Sequence, residues 1–248
     1  MPTRPHPETK STSADPALIG VDWGTTSFRA YLIGRCGVIL DRREAEAGIL
    51  GIDAGTFATE LDRQLAIWKT RGAGLPVLLS GMIGSRQGWV ETPYSNLPCG
   101  LDTLADQLSK PGDADRAVYL VPGVSRRGPG MPDVMRGEEV QVLGAIASSA
   151  HSDGRFVLPG THCKWVVVRD GRVVDFFTYM TGEVFGACRE HTILGRLMTG
   201  VGADDQAFRR GVMDGAAPGR CGALLHRLFG TRTYGMFGEI RSRASKTT

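Results

Sequence analysis

Two stretches far apart in the chain carry the same run of apolar and polar positions. In the first, Gly20-Val21-Asp22-Trp23 runs through Gly24-Thr25-Thr26-Ser27 into Arg29-Ala30-Tyr31-Leu32-Ile33. The chain then turns at Gly34-Arg35-Cys36-Gly37 and returns along Val38-Ile39-Leu40. In the second, Phe156-Val157-Leu158 passes through Pro159-Gly160-Thr161-His162 into Trp165-Val166-Val167-Val168, turns at Asp170-Gly171 and returns along Val173-Val174-Asp175-Phe176-Phe177. Each reads as a strand, a Gly-Thr turn and a hairpin. Between them Phe57, Leu61, Leu65 and Trp68 make one helical stripe ending near Gly72, and Leu75–Leu79 and Val118–Val121 read as buried strands. Pro122 to Pro132 is expected to be a loop between two lobes. A helix opens at Arg136-Gly137-Glu138-Glu139, with Val140, Leu143 and Ala147 on its apolar face. Thr181-Gly182-Glu183 leads another, spaced by Val184, Cys188, His191 and Leu194, with His191 expected in the core. Shorter helical patterns follow at Ala203–Val212 and Leu224–Phe229. Alternating strands and helices give an α/β class, and the repeated hairpin gives two similar lobes, 17–132 and 133–248, after a loose tail of 1–16.

A Gly-Thr turn at the end of a strand can cradle phosphate oxygens, because glycine lets the main chain approach closely, threonine adds a hydroxyl, and successive amides make a concavity. One such turn alone is an ordinary hairpin; two facing each other would clamp a polyphosphate. Only the first has an acid before it, Asp22. A single carboxylate together with phosphates and waters is enough for Mg²⁺, which makes Asp22 the metal candidate. Glu138 and Glu139 sit in the first turn of their helix, where the helix dipole favours carboxylates. Either could instead serve as a general base. Ser80-Gly81-Met82-Ile83-Gly84-Ser85, followed by Trp89, Glu91 and Tyr94, suits a small polar ligand, with packing of Trp89 and Tyr94 in the core as the competing view.

Composition narrows the classes. The chain has 248 residues, 42% of them hydrophobic, and a net charge of only +3. Its basic pairs, Arg126-Arg127 and Arg209-Arg210, are scattered and not interleaved with aromatics, which argues against a nucleic-acid surface. Five dispersed cysteines without a Cys-x-x-Cys suggest neither a disulfide framework nor a zinc ribbon, and point to a reducing cytoplasm. No membrane-spanning run is present in the sequence, and no Gly-x-x-x-x-Gly-Lys-Ser/Thr. A homodimer is among the assemblies the sequence permits.

Asp22-Trp23-Gly24-Thr25-Thr26-Ser27-Phe28-Arg29, Ser80–Ser85 with Gly88-Trp89 and Pro93-Tyr94, Arg136-Gly137-Glu138-Glu139-Val140-Gln141 and Leu158–Trp165 together resemble the 2-keto-3-deoxygalactonate kinase family. The resemblance implies two ribonuclease-H-like lobes of the actin, Hsp70 and hexokinase superfamily closing on ATP. It implies transfer of phosphate to the terminal hydroxyl of a small sugar acid in galactonate breakdown. By the same resemblance Asp22 organises Mg²⁺, and Gly24, Thr25, Thr26, Gly160, Thr161 and the adjoining His162 hold the phosphates. Glu138 falls where more distant carbohydrate kinases carry their base, with Glu139 as its rival. Ser85, Trp89 and Tyr94 would line the sugar. A guanidinium should meet its carboxylate, Arg136 first and Arg86 second, with Arg29 serving the lobe. The family pattern continues past Phe237-Gly238-Glu239, so the second lobe is expected to be incomplete and ATP binding weak. The competing classes are a non-catalytic sugar-binding relative and a superfamily ATPase or phosphatase.

Overall fold

Alternation of inward apolar and outward polar side chains builds the first sheet of the computed structural model, which describes residues 15–198, 204–217 and 223–238. Pro16–Trp23 (β1), Phe28–Gly34 (β2) and Ile39–Ala45 (β3) run antiparallel, and Ile19, Val21, Trp23, Phe28, Ala30 and Leu32 are buried. Phe57–Leu65 (α1) lays Phe57, Leu61 and Leu65 into the same core, and Trp68 extends the stripe on a 3-10 turn, as its spacing predicts. Val77–Ser80 (β4) then pairs with β1 in parallel, placing Ser80 beside Asp22.

Beyond β4 come Tyr94–Asn96 (β5), Leu101–Asp106 (α2) and Val118–Leu120 (β6), which joins β4 in parallel and completes the order β3-β2-β1-β4-β6. The expected loop after it contains a strand. Gly123–Arg126 (β7) pairs with β5 and with Asp133–Met135 (β8), and Val124 is fully buried. Glu138–Ala147 (α3) follows, and then Gly154–Leu158 (β9), Cys163–Arg169 (β10) and Arg172–Tyr179 (β11) form a second sheet of order β11-β10-β9. Asp170 (φ 49) and Gly171 (φ 71) close its hairpin, a pair of positive φ angles that suits the right-handed twist of the strands. Each Gly-Thr turn therefore lies between the first and second strands of a three-stranded antiparallel element.

Contacts divide the chain into two units: one runs to Leu158 and includes Lys164–Thr178, the other combines Pro159–Cys163 with the chain from Tyr179. The first holds two hydrophobic cores, one around β1, β2, α1 and β4, the other around Val142, Leu143 and Ile146 of α3 with Val166, Val168, Val173 and Phe176. The buried face of α3 is set one residue away from the expected Val140–Leu143–Ala147 stripe and begins at Glu139. The second unit contains Thr181–His191 (α4), Asp205–Ala216 (α5) and Ala223–Met236 (α6), and none of their described residues is buried. His191 is exposed and is not a core histidine. Among the described residues no helix is long and apolar enough to cross a membrane. The chain after Gly238, where the second lobe is expected to be incomplete, lies outside the described residues, as does most of the 1–16 tail.

Candidate functional site

Asp22 reaches the carboxyl end of β1, where parallel strands of open α/β sheets present their loops. Trp23 next to it is wholly buried, packs edge-on against Phe28 and Phe57, and donates its indole N–H to Ala47 O at 2.8 Å. That anchor fixes the start of the Gly24–Ser27 turn. The turn is closed by Gly24 N–H to Ser27 O at 2.9 Å, and its outer carbonyls, Gly24 O and Thr25 O, accept from Ile49 and Leu50 at 3.0 and 3.3 Å. Thr25 and Thr26 are exposed. Asp22 Oδ2 accepts from Arg29 Nη1 at 3.0 Å, so Arg29 steadies the acid from the neighbouring strand.

Two glycines bring the start of α3 to this acid. Gly81 (φ +91) packs so closely that a Cβ there would lie 2.9 Å from Trp23 O and 3.1 Å from Asp22 Oδ1. Gly137 (φ +107) lies against it in turn, with a Cβ position 3.3 Å from Gly81 Cα. Any other residue at Gly137 would strain the backbone and press on Gly81. The contact series Asp22, Gly81, Gly137 thus ends at the two glutamates.

Those glutamates have different surroundings. Glu139 is fully buried and folds back so that both its carboxyl oxygens face Gly137 N–H, at 2.8 and 2.7 Å. Burial pushes its carboxyl up to about 8 and the charge of Glu138 adds to this, while the Gly137 N–H and Arg136 oppose it. The Cys99 thiol is pushed up to about 11, chiefly by burial and next by Glu139. Glu138 is partly open, its side chain 24% exposed. Its Oε2 accepts from Arg136 N–H at 3.1 Å, and its Oε1 faces Lys164 Nζ at 3.5 Å. Of the pair, only Glu138 keeps its carboxylate partly open to solvent.

Arg136 is placed differently from the expectation of a carboxylate clamp. Its terminal nitrogens donate to Thr92, Nη1 to the hydroxyl and Nη2 to the carbonyl at 2.9 Å, and the guanidinium lies 4.3 Å from the centre of the Tyr94 ring. The fork is closed on the protein, and Nε is the one buried side-chain donor without a hydrogen-bond partner among the described residues. Arg86 keeps an 87% exposed side chain, 3.6 Å from Glu91. Ser85 donates to Met82 O at 2.7 Å, and Trp89 donates to Asp113 at 2.8 Å while packing partly on the first core. The structure brings Tyr94 and Arg136 together; the polar partners of Trp89 and Arg86 lie instead on Asp113 and Glu91.

In the second unit the Gly160–Thr161 turn caps α4. Thr161 O accepts from Glu183 N–H at 3.0 Å, and His162 Nε2 is 2.6 Å from Glu183 Oε2. Gly182 permits this approach, since a Cβ there would fall 2.5 Å from Gly160 O. The bond from Glu183 N–H takes up one of the otherwise unpaired amides at the start of α4. Among the described residues no cluster of three metal-ligating side chains occurs. Asp22 as a lone carboxylate, 32% exposed beside a glycine, suits an ion that takes its remaining ligands from phosphates and water. Lys164 was missed by sequence reasoning, although its register with Val166 and Val168 on β10 marks it as inward-facing.

These features define a mixed α/β protein with a glycine turn between the first two strands of each of two three-stranded elements and an acid pair at a helix start. The chain belongs to the 2-keto-3-deoxy-galactonokinase family, whose model matches residues 22–248. It is 43% identical over 174 residues to the assigned 2-dehydro-3-deoxygalactonokinase DgoK1 of Rhizobium meliloti (strain 1021), covering 70% of this chain and 56% of that protein. It is 33% identical over 224 residues to the 2-dehydro-3-deoxygalactonokinase of Escherichia coli (strain K12), covering 90% of this chain and 72% of the other. A crystal structure of a Sinorhizobium meliloti protein assigned to the same activity superposes with a TM-score of 0.75 at 37% identity, over 90% of this chain and 73% of that one.

Proposed function

We propose that this chain is an ATP-dependent sugar-acid kinase that phosphorylates the terminal (6-) hydroxyl of 2-dehydro-3-deoxygalactonate. The observation that carries the reading is the placement of Glu138: a partly open carboxylate at the start of α3, joined to Asp22 through the Gly81–Gly137 contact. Family membership supplies the substrate class. The order β3-β2-β1-β4-β6, three antiparallel strands continued by two parallel ones, supports reading the first unit as a ribonuclease-H-like lobe.

Phosphoryl transfer asks a protein mainly for positioning and for charge stabilisation. Glu138 Oε1 takes the proton as the sugar O–H breaks and the oxygen bonds to the γ-phosphorus, while the bridging bond to ADP breaks with its electron pair. The Gly24–Ser27 turn orients the phosphates beside Asp22, and the Gly160–Thr161 turn with His162 is, by itself, a second anion-binding element of the proposal. Mg²⁺, when bound near Asp22, would supply positive charge to the phosphate oxygens. Tyr94, braced by Arg136, forms a wall for the sugar with Ser85 and Trp89, and Arg86 offers an exposed fork to the carboxylate. Glu139 holds the backbone beneath Glu138. The four free cysteines among the described residues suit a reducing cytoplasm as the compartment.

A coupled assay for ADP, run with MgATP in the presence and absence of the keto-deoxy acid, tests the reading. Release that rises at least tenfold with the acid and yields a phosphate monoester supports it. An equal rate without the acid would instead mark a hydrolase, and no release at all a binding protein.

A further inference from the structure

Lys164 is a lysine in a core register. On β10 it shares the inward face with Val166 and Val168, and only 5% of its surface is exposed. Taking an ammonium out of water costs several kcal/mol unless a partner offsets it. The partner is Glu138, 3.5 Å from Nζ. Lys164 is therefore buried against the acid that the proposed reaction uses as its base.

The geometry around that acid is asymmetric. Oε2 is occupied by Arg136 N–H, and Oε1 faces the ammonium at a separation longer than the roughly 2.7–2.9 Å of a charge-assisted hydrogen bond. The attraction is Coulombic, strengthened by the burial of the ammonium, and leaves a lone pair of Oε1 free for a hydroxyl. From this we infer that Lys164 is a positioning residue for the kinase reaction: it aims Oε1 of Glu138 at the acceptor hydroxyl and balances the carboxylate's charge, keeping its own proton throughout. The inference rests on the kinase reading above.

The test combines a charge-removing variant, Lys164→Met, with Glu138→Gln. K164M is expected to lower kcat about a hundredfold while both KM values stay within about threefold, and Lys164→Arg to recover kcat to within about tenfold of wild type. A buried pair that acts as a unit is non-additive, so K164M in the E138Q background should cost no more than about twofold further. A merely structural lysine would not produce that pattern. K164M within threefold of wild-type kcat, or a further loss of tenfold or more in the E138Q background, overturns the inference. If K164M alone does not fold, K164M/E138Q leaves no unpaired buried charge and supplies the same comparison against E138Q. A wild type whose ADP release ignores the sugar acid overturns the kinase reading and this inference together; a responsive wild type matched by K164M overturns this inference alone.

Discussion

Glu138 and Glu139 are adjacent in the chain, and helix phase decides which is buried. Glu139 stands three and four residues before Val142 and Leu143 and so begins the buried stripe of α3, leaving Glu138 at its edge. That signal was present in the sequence, but a stripe drawn through Val140 and Ala147 hides it. Converting Glu138 to Gln should lower kcat by about 10²- to 10⁴-fold with nucleotide affinity retained, as seen by steady-state kinetics beside calorimetric titration. Glu139 yields a pH effect instead. Its folded value is raised from 4.5 to about 8, so the stability it contributes is complete below the unfolded value and is lost as pH rises through the folded one. Denaturant unfolding of the wild type should show stability falling between about pH 5 and 8, by at most about 1.4 kcal/mol per unit from this group. Glu139→Gln should flatten that window, and an unchanged slope would remove Glu139 as its source. Lys164 was legible only through its two-residue register on β10, because neither its charge nor its neighbours in sequence announce a partner on α3.

The long periodic elements were readable because their patterns repeat. The α1 stripe and both hairpins lie where spacing puts them. Short strands were not: β7 has only four residues, in a glycine- and arginine-rich stretch, and is a strand because β5 and β8 flank it. The role of Gly137 was equally hidden, since its positive φ and its contact with Gly81 exist only once α3 and the loop after β4 meet. Gly137→Ala should therefore cost about 1–3 kcal/mol of stability by urea unfolding and lower kcat more than it changes either KM. A neutral G137A would show that the α3 start tolerates displacement.

At the level of the molecule the two units differ in how they are held together. The first contains both hydrophobic cores, whereas α4, α5 and α6 bury no described residue and leave Phe185, Phe208, Met213, Leu225 and Phe229 exposed. Opening free energies follow burial, so amides of those three helices should exchange with deuterium well before those of β1, β2 and β4. Comparable protection would show that the helices are packed in solution. This contrast was illegible in the sequence, where each helix has an ordinary apolar stripe. The central claim, that the Gly24–Ser27 turn holds phosphate beside Asp22 while Glu138 readies the sugar alcohol, is met most directly by a crystal structure with Mg²⁺, a non-hydrolysable ATP analogue and 2-dehydro-3-deoxygalactonate. It predicts phosphate oxygens on amides of the Gly24–Ser27 turn, and the terminal hydroxyl about 2.6–3.2 Å from Glu138 Oε1. Phosphates remote from that turn, or a terminal hydroxyl remote from Glu138, would contradict it.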